Sequence, residues 1–231
     1  MNQPTQLPSI PTVFDEVERD AIYRVIRARR DVRRGFLPTP LPRSLLIQLL
    51  RAAHEAPSVG LMQPSRFIIV RSPEVRRRVH TAFQQANQQA QAGYHGALRT
   101  QYAELKLEGI LQAPQNLCVL CDAESAQGHG LGRQTMPETA VYSTVCAVQN
   151  LWLAARAEGV GVGWVSILSP DALRSILRIP DHIVPVAYLC LGYVESFGSE
   201  PELERVGWER RASLESAIFE EMYDPGQNPS E

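Results

Sequence analysis

Cysteine is too scarce in this sequence for a disulfide framework, since only four cysteines occur in 231 residues. Cys118 and Cys121 form a C-x-x-C pair. The pair lies inside an apolar run, no turn followed by a helix comes after it, and the sequence offers no second pair to complete a metal site. We therefore expect buried thiols at these positions and no bound metal.

Lysine is almost absent, because Lys106 is the only lysine among 23 lysines and arginines. Two explanations for the excess of arginine stay open. One is codon bias in a GC-rich genome, and the other is the ability of arginine to bind phosphate through paired hydrogen bonds. The formal net charge is −2. The lack of a basic surplus argues against a general nucleic-acid binder.

Residues 1–20 lack the basic start and the apolar run of a secretory signal. The most apolar helical pattern, at 137–158, contains Gln149, Asn150 and Arg156, which disfavour a membrane span. We therefore expect no membrane contact and a cytoplasmic location. The hydrophobic fraction of 44% is that of an ordinary globular protein with a full core.

The hydrophobic pattern predicts one α+β domain over residues 15–223, with a flexible arm at 1–14 and a disordered tail at 224–231. The first helix begins near Asp15 and runs to the arginine cluster 29–34, where Gly35 and three prolines end it. The further predicted elements are helices at 42–55, 74–91, 137–158 and 170–177, and strands at 67–70, 117–121, 161–167 and 184–191. Because the helix at 137–158 is apolar on nearly every face, it is central or lies at a subunit interface.

The arginine cluster is the first candidate site, with four arginines in the six residues 29–34. Such a cluster repels itself unless an anion neutralises it, and phosphate oxygens match guanidinium donors in pairs. A solvated basic helix end explains the cluster equally well. Asp31, which lies among the arginines, stays ionised and is suited to ion pairs.

Three further segments are weaker candidates. The turn-rich segment 56–64 lies between a helix and a strand, where backbone donors can face a planar ligand. An ordinary helix-to-strand loop would have the same sequence features. The glycines of 159–166 lead into a strand rather than from a strand into a helix, which excludes a dinucleotide-binding motif. They instead allow a ligand or another backbone to approach the strand closely. The segment 208–211 is a second phosphate contact or a surface charge run.

Taken in this order, these segments resemble the nitroreductase-like flavoproteins, and the likeness spans roughly residues 20–214. Within that family the chain is similar to the branch of 5,6-dimethylbenzimidazole synthases. The segments that carry this similarity are 29–33, 106–110, 132–138, 142–145 and 161–166. Two positions depart from the family pattern. Leu61 stands where nitroreductases usually have asparagine, and Ser65 stands where an aromatic residue is common.

The resemblance implies a nitroreductase-like, FMN-dependent α+β fold, in which long helices cover a central antiparallel or mixed sheet. It implies a homodimer with FMN bound between the subunits. It also implies that reduced FMN is a substrate, which dioxygen breaks into 5,6-dimethylbenzimidazole and erythrose 4-phosphate. A separate flavin reductase is then the expected source of reduced FMN. The candidate lid over the site is the arm at 94–112.

The same resemblance assigns residues to the site. Asp31 and Ser166 carry the chemistry, since a positioned carboxylate can remove and return protons and a hydroxyl can orient the flavin. The residues implied to contact the flavin are Arg29, Arg30, Asp31, Val32, Arg33, Ser58, Leu107, Ser166 and Arg211, with Arg210 as the alternative to Arg211. Three other functions stay open: an NAD(P)H-dependent nitroreductase or flavin reductase, a flavin-storage protein, and a purely structural protein.

Overall fold

The computed structural model describes residues 12–223. Most of the predicted arm at 1–14 and all of the predicted tail at 224–231 lie outside the described residues. Within the described range the helices are α1 (Glu16–Ala28), α2 (Arg43–His54), α3 (Pro73–Ala92), α4 (Gly96–Glu104), α5 (Thr139–Ala157), α6 (Pro170–Leu177) and α7 (Glu202–Arg205). The strands are β1 (Ser65–Val70), β2 (Gln115–Asp122), β3 (Val160–Val165) and β4 (Ile183–Tyr193).

The four strands form one antiparallel sheet in the order β1-β2-β4-β3. Alternate side chains of β4 enter two different cores, because successive residues of a strand point to opposite faces. Leu189 and Leu191 pack with residues of α2 and α5, whereas Tyr188 and Cys190 pack with residues of α3 and α6. Helices therefore cover both faces of the sheet, which confirms the predicted α+β architecture. None of the helices within 12–223 is long and apolar enough to cross a membrane.

Helix α5 is central, as its apolar pattern predicts. Ala147, Leu151 and Ala155 recur every four residues on one side and are fully buried against the sheet. None of the residues 12–223 covers the opposite side, since Tyr142 and Val145 are exposed. One face of α5 thus belongs to the core, and the other is an apolar surface.

The arginine cluster does not belong to the first helix, so that part of the prediction is wrong. Helix α1 begins with a capping box between Asp15 and Glu18 and ends at Ala28. Arg29 already has extended backbone angles of φ −65° and ψ 137°. The chain leaves the helix here because it finds partners on the sheet, where the Val32 amide donates to the Val162 carbonyl at 3.0 Å.

Two glycines of β3, Gly161 and Gly163, allow the segment around Val32 to lie close against the strand. A Cβ atom added at Gly163 would lie 2.0 Å from the carbonyl oxygen of Val32. One added at Gly161 would lie 2.6 Å from a methyl group of Val194 and 3.2 Å from one of Val32. Of the two alternatives that the sequence leaves open, another backbone is the one that approaches this strand.

Candidate active site

Five of the predicted site residues come together in one cavity of about 120 Å³, although they come from opposite ends of the described chain. Arg29, Arg30, Asp31 and Arg33 follow α1, and Arg211 follows α7. Arg211 rather than Arg210 lines the cavity. The tertiary structure therefore brings the arginine cluster at 29–34 together with Arg211, near the C-terminal end of the described residues.

Asp31 is the most firmly held side chain of the site. Its Oδ2 atom accepts hydrogen bonds from Arg33, at 2.9 Å from Nε and 2.6 Å from a terminal nitrogen. Its Oδ1 atom accepts from the backbone amide of Trp164 at 3.0 Å. Charged hydrogen bonds of this kind are short and strong. The carboxylate thus has a fixed orientation between the arginine cluster and strand β3.

Arg29 lies against an aromatic ring and beside like charges. Its guanidinium carbon is 4.6 Å from the centre of the Trp152 ring. Burial lowers the pKa of Arg29. Asp31 opposes this shift, whereas Arg211 and Arg30 lower the pKa further. A bound anion would relieve this crowding of positive charge, because it favours the charged form of each arginine.

Arg30 organises the backbone around the cavity. One terminal nitrogen donates to the carbonyl oxygens of Arg27 and Arg29, at 2.7 Å each, and the other donates to the carbonyl of Ser199. Its Nε atom is buried and has no hydrogen-bond partner in the described part of the chain. Arg30 therefore ties the end of α1 to the segment before α7 and leaves one donor unsatisfied in the arginine cluster.

Val32, Leu107 and Ser166 lie around this cluster in different ways. Val32 is buried, and its amide bonds to β3. Leu107 is half-buried and packs against the core formed with α3 and α6. Ser166 is exposed and lies just beyond β3, since the strand ends at Val165 rather than at 167. It is two residues past Trp164, or about 7 Å along an extended chain.

Ser58 lies at the other end of α5 from the arginine cluster. The amide of Val59 donates to Ser143 near the start of α5, whereas Trp152, near its end, donates to the Arg30 carbonyl at 3.2 Å. Nine positions separate Ser143 from Trp152, which corresponds to about 14 Å along a helix. One chain therefore does not bring Ser58 to the arginine cavity.

The Ser58 loop has a constrained backbone. Ser58 accepts a hydrogen bond from the amide of Gln63 at 3.0 Å, and both Leu61 (φ 55°) and Gln63 (φ 45°) have left-handed angles. The unusual Leu61 side chain is 73% exposed. At the second departure from the family pattern, Ser65 donates to Thr144 of α5 at 3.4 Å, so a polar contact stands where an aromatic ring is common.

The sequence pointed neither to Trp152 nor to Glu202, and Pro201 and Leu203, which line the arginine cavity, were not predicted either. Trp152 belongs to an apolar helix pattern, which indicates burial rather than a site. Trp152 contacts Arg29 and Arg30, which are more than 120 positions away in the chain. Glu202 lines the same cavity as the arginines. No local signal marks either residue. No group of three or more His, Cys, Asp and Glu side chains within 12–223 is arranged to hold a metal ion.

Comparisons with known proteins agree with this architecture. The sequence profile of the nitroreductase family matches residues 26–193. The chain is 45% identical over 199 residues to a 5,6-dimethylbenzimidazole synthase of Rhodospirillum rubrum, over 86% of this chain and 94% of that protein. It is 43% identical over 202 residues to a 5,6-dimethylbenzimidazole synthase of Rhodobacter capsulatus, over 87% of this chain and 97% of that protein.

Solved structures show the same fold. Iodotyrosine deiodinase, solved with FMN and 3-iodo-L-tyrosine, superposes with a TM-score of 0.65 at 23% identity, over 77% of this chain and 91% of that chain. The predicted nitroreductase-like fold is thereby confirmed. With its four-stranded antiparallel sheet between helices and a family profile that covers most of its length, this chain belongs to the nitroreductase family.

Proposed function

We propose that this chain is a 5,6-dimethylbenzimidazole synthase, which uses dioxygen to break reduced FMN into 5,6-dimethylbenzimidazole, erythrose 4-phosphate and the remaining pyrimidine ring of the flavin. The observation that carries the proposal is the 45% identity to a synthase of that name over nearly the whole length of both chains. The fold alone does not distinguish this reaction from that of a reductase, because one fold hosts many chemistries. The cytoplasmic location stays a prediction.

The arginine cavity suits the phosphate end of FMN. Arg29, Arg30, Arg33 and Arg211 line it, and like charges surround Arg29. The Nε atom of Arg30 has no hydrogen-bond partner among residues 12–223. A phosphate supplies the missing negative charge and several acceptor oxygens. These features fit a phosphorylated flavin better than an uncharged one.

Asp31 is the proposed proton-transfer group. Bound reduced FMN would supply the ring system and side chain that are broken, and dioxygen the oxidising equivalents. The bonds from Arg33 and Trp164 hold the carboxylate at one edge of the cavity, where it can accept a proton and return it. Ser166, beyond the end of β3, is proposed to hydrogen-bond the flavin. Leu107 is half-buried against the core and is proposed to cover the flavin from the arm.

A homodimer is proposed to complete the site. None of the residues of α1 is fully buried, and Val17, Ile22 and Tyr23 expose apolar surface beside the exposed face of α5. Exposed apolar patches of this kind mark protein interfaces. If two α5 helices pair antiparallel about a twofold axis, the Ser58 end of one chain faces the arginine end of the other. The arm at 94–112 is proposed as the lid.

The test mixes the purified protein anaerobically with chemically reduced FMN, admits oxygen and follows 5,6-dimethylbenzimidazole by mass spectrometry. Formation of the product, with loss of one FMN for each molecule formed, is expected. A flavin reductase with NADH should replace the chemical reductant. Steady oxidation of NAD(P)H on intact FMN would instead identify a reductase. Tight FMN binding without either reaction would identify a storage protein.

The dimer has a separate test. Ile22→Glu introduces a charge on the exposed face of α1, and it should convert a dimer to a monomer in sedimentation experiments. Arg24→Glu lies on the same helix at another exposed position and serves as the control. A wild-type protein that sediments as a monomer at micromolar concentration contradicts the proposed dimer.

A further inference from the structure

Glu202 occupies a position that the proposed reaction does not yet explain. Three cavities adjoin beside the arginine cluster, with volumes of about 120, 250 and 370 Å³. Among residues 12–223, only Glu202 and Arg33 line all three of them. A carboxylate therefore stands among the arginines of these cavities, beside the place where the phosphate of FMN is proposed to bind.

The contacts of Glu202 are with arginines. Its Oε1 atom lies 2.6 Å from Arg34 and 3.7 Å from Arg205, and its side chain is only 17% exposed. Both arginines also line the two larger cavities. A carboxylate in this position neutralises part of the positive charge around the phosphate cavity, and it repels a phosphate directly.

We propose that Glu202 is a positioning residue that weakens the hold of the arginine cluster on phosphate, so that the phosphorylated four-carbon product leaves after each turnover. The inference rests on the proposed function. A flavoenzyme that recycles FMN gains from binding phosphate tightly. An enzyme that consumes FMN must instead release a phosphate-bearing fragment each time, and tight binding of that fragment would slow it.

Glu202 acts on the phosphate through its own charge. Arg34 and Arg205 line the two larger cavities but not the cavity of about 120 Å³ in which the phosphate is proposed to bind. Glu202 lines that cavity as well, so its carboxylate lies beside a phosphate bound there. The repulsion between the two anions weakens binding and favours release.

Glu202→Gln tests the inference, with Glu204→Gln as the matched control. Glu204 lies two residues away on α7 and lines none of the three cavities. Binding of oxidised FMN and of riboflavin is measured by quenching of flavin fluorescence. Removal of a nearby negative charge should tighten FMN binding about tenfold and leave riboflavin binding unchanged. Inorganic phosphate should inhibit E202Q at lower concentration than wild type. The ratio of the steady-state rate to the single-turnover rate should fall in E202Q and stay unchanged in E204Q.

The outcomes separate this inference from the proposed function. If wild-type protein binds FMN and riboflavin equally, the proposed phosphate site itself is wrong. If wild type prefers FMN but E202Q does not strengthen that preference, the inference about Glu202 is overturned. Weaker binding of both flavins by E202Q would show a purely structural role and also overturns it. Glu202→Asp keeps the charge and should keep the wild-type ratio of the two affinities, which supports the inference if E202Q folds poorly.

Discussion

Gly163→Ala is the sharpest test of how this site is built. The new Cβ atom would lie 2.0 Å from the carbonyl oxygen of Val32 and 3.1 Å from its carbonyl carbon. Both are backbone atoms, so no side-chain rotation removes the clash. The segment that carries Asp31 must move off strand β3. Two hydrogen bonds are then lost, one from Val32 to Val162 and one from Trp164 to the Asp31 carboxylate.

The loss can be estimated from these two bonds. The backbone bond is worth about 1 kcal/mol net, and the bond to the carboxylate about 1.5 to 3 kcal/mol. The free energy of unfolding should therefore fall by about 2.5 to 4 kcal/mol, a large part of the roughly 5 to 15 kcal/mol typical of a folded protein. For a domain of this size the corresponding decrease in Tm is on the order of 10 °C.

Urea unfolding and FMN binding are measured together on a graded series. Gly161→Ala meets only side chains, which can shift, and should cost less than Gly163→Ala. Gly93→Ala is the control, because its φ is −76° and its Cβ would meet nothing nearer than 3.4 Å. Gly163→Ala should also lose FMN affinity. If it unfolds within about 0.5 kcal/mol of Gly93→Ala and binds FMN normally, β3 does not position the arginine segment.

Three further predictions concern single side chains. Asp31→Asn breaks the ion pair with Arg33 and should lower the free energy of unfolding, measured in urea, by about 2 kcal/mol. Asp122→Asn breaks the more exposed pair with Arg66 and should lower it by less than about 1 kcal/mol. Equal losses in the two variants would contradict this. Arg211→Ala should lower the affinity for FMN about tenfold and leave the affinity for riboflavin almost unchanged, with Arg210→Ala as the control. A similar loss of affinity for both flavins would refute the phosphate contact. Burial raises the pKa of Cys118 from 9.0 to about 12. The Cys118 thiol therefore loses its proton at a lower pH in the unfolded chain than in the folded one, so the free energy of unfolding falls as the pH rises from about 9 towards 12. Cys118→Ala should reduce this dependence on pH in urea unfolding experiments. An unchanged dependence would contradict the effect of burial.

The Asp31→Asn variant also bears on the proposed catalytic role of Asp31. Because Arg33 is bonded to Asp31 through two nitrogens, Asp31→Asn also releases an arginine of the proposed phosphate site. A loss of turnover in that variant is therefore meaningful only when FMN affinity is measured beside it. Turnover that falls far more than affinity supports proton transfer by Asp31.

Local sequence signals predicted most of the secondary structure. Helical periodicity located α1 from near Asp15, and the apolar pattern at 137–158 identified α5 as a central helix. The strands were found but were predicted too short or shifted, since pairing partners rather than propensity decide where a strand ends. β4, for example, runs from Ile183 to Tyr193 because β2 pairs with its residues 183–191 and β3 with its residues 188–193.

Residue chemistry along the chain was sufficient for the family, the basic cluster and the identity of Asp31 as a candidate, because these depend on which residues occur and in what order. Only the folded chain decided that the cluster leaves α1 and lies on β3, that Arg211 joins it, and that Ser58 sits at the far end of α5. Those facts depend on contacts between residues more than 80 positions apart. Such contacts arise from the packing of helices on the sheet, which no short stretch of sequence encodes.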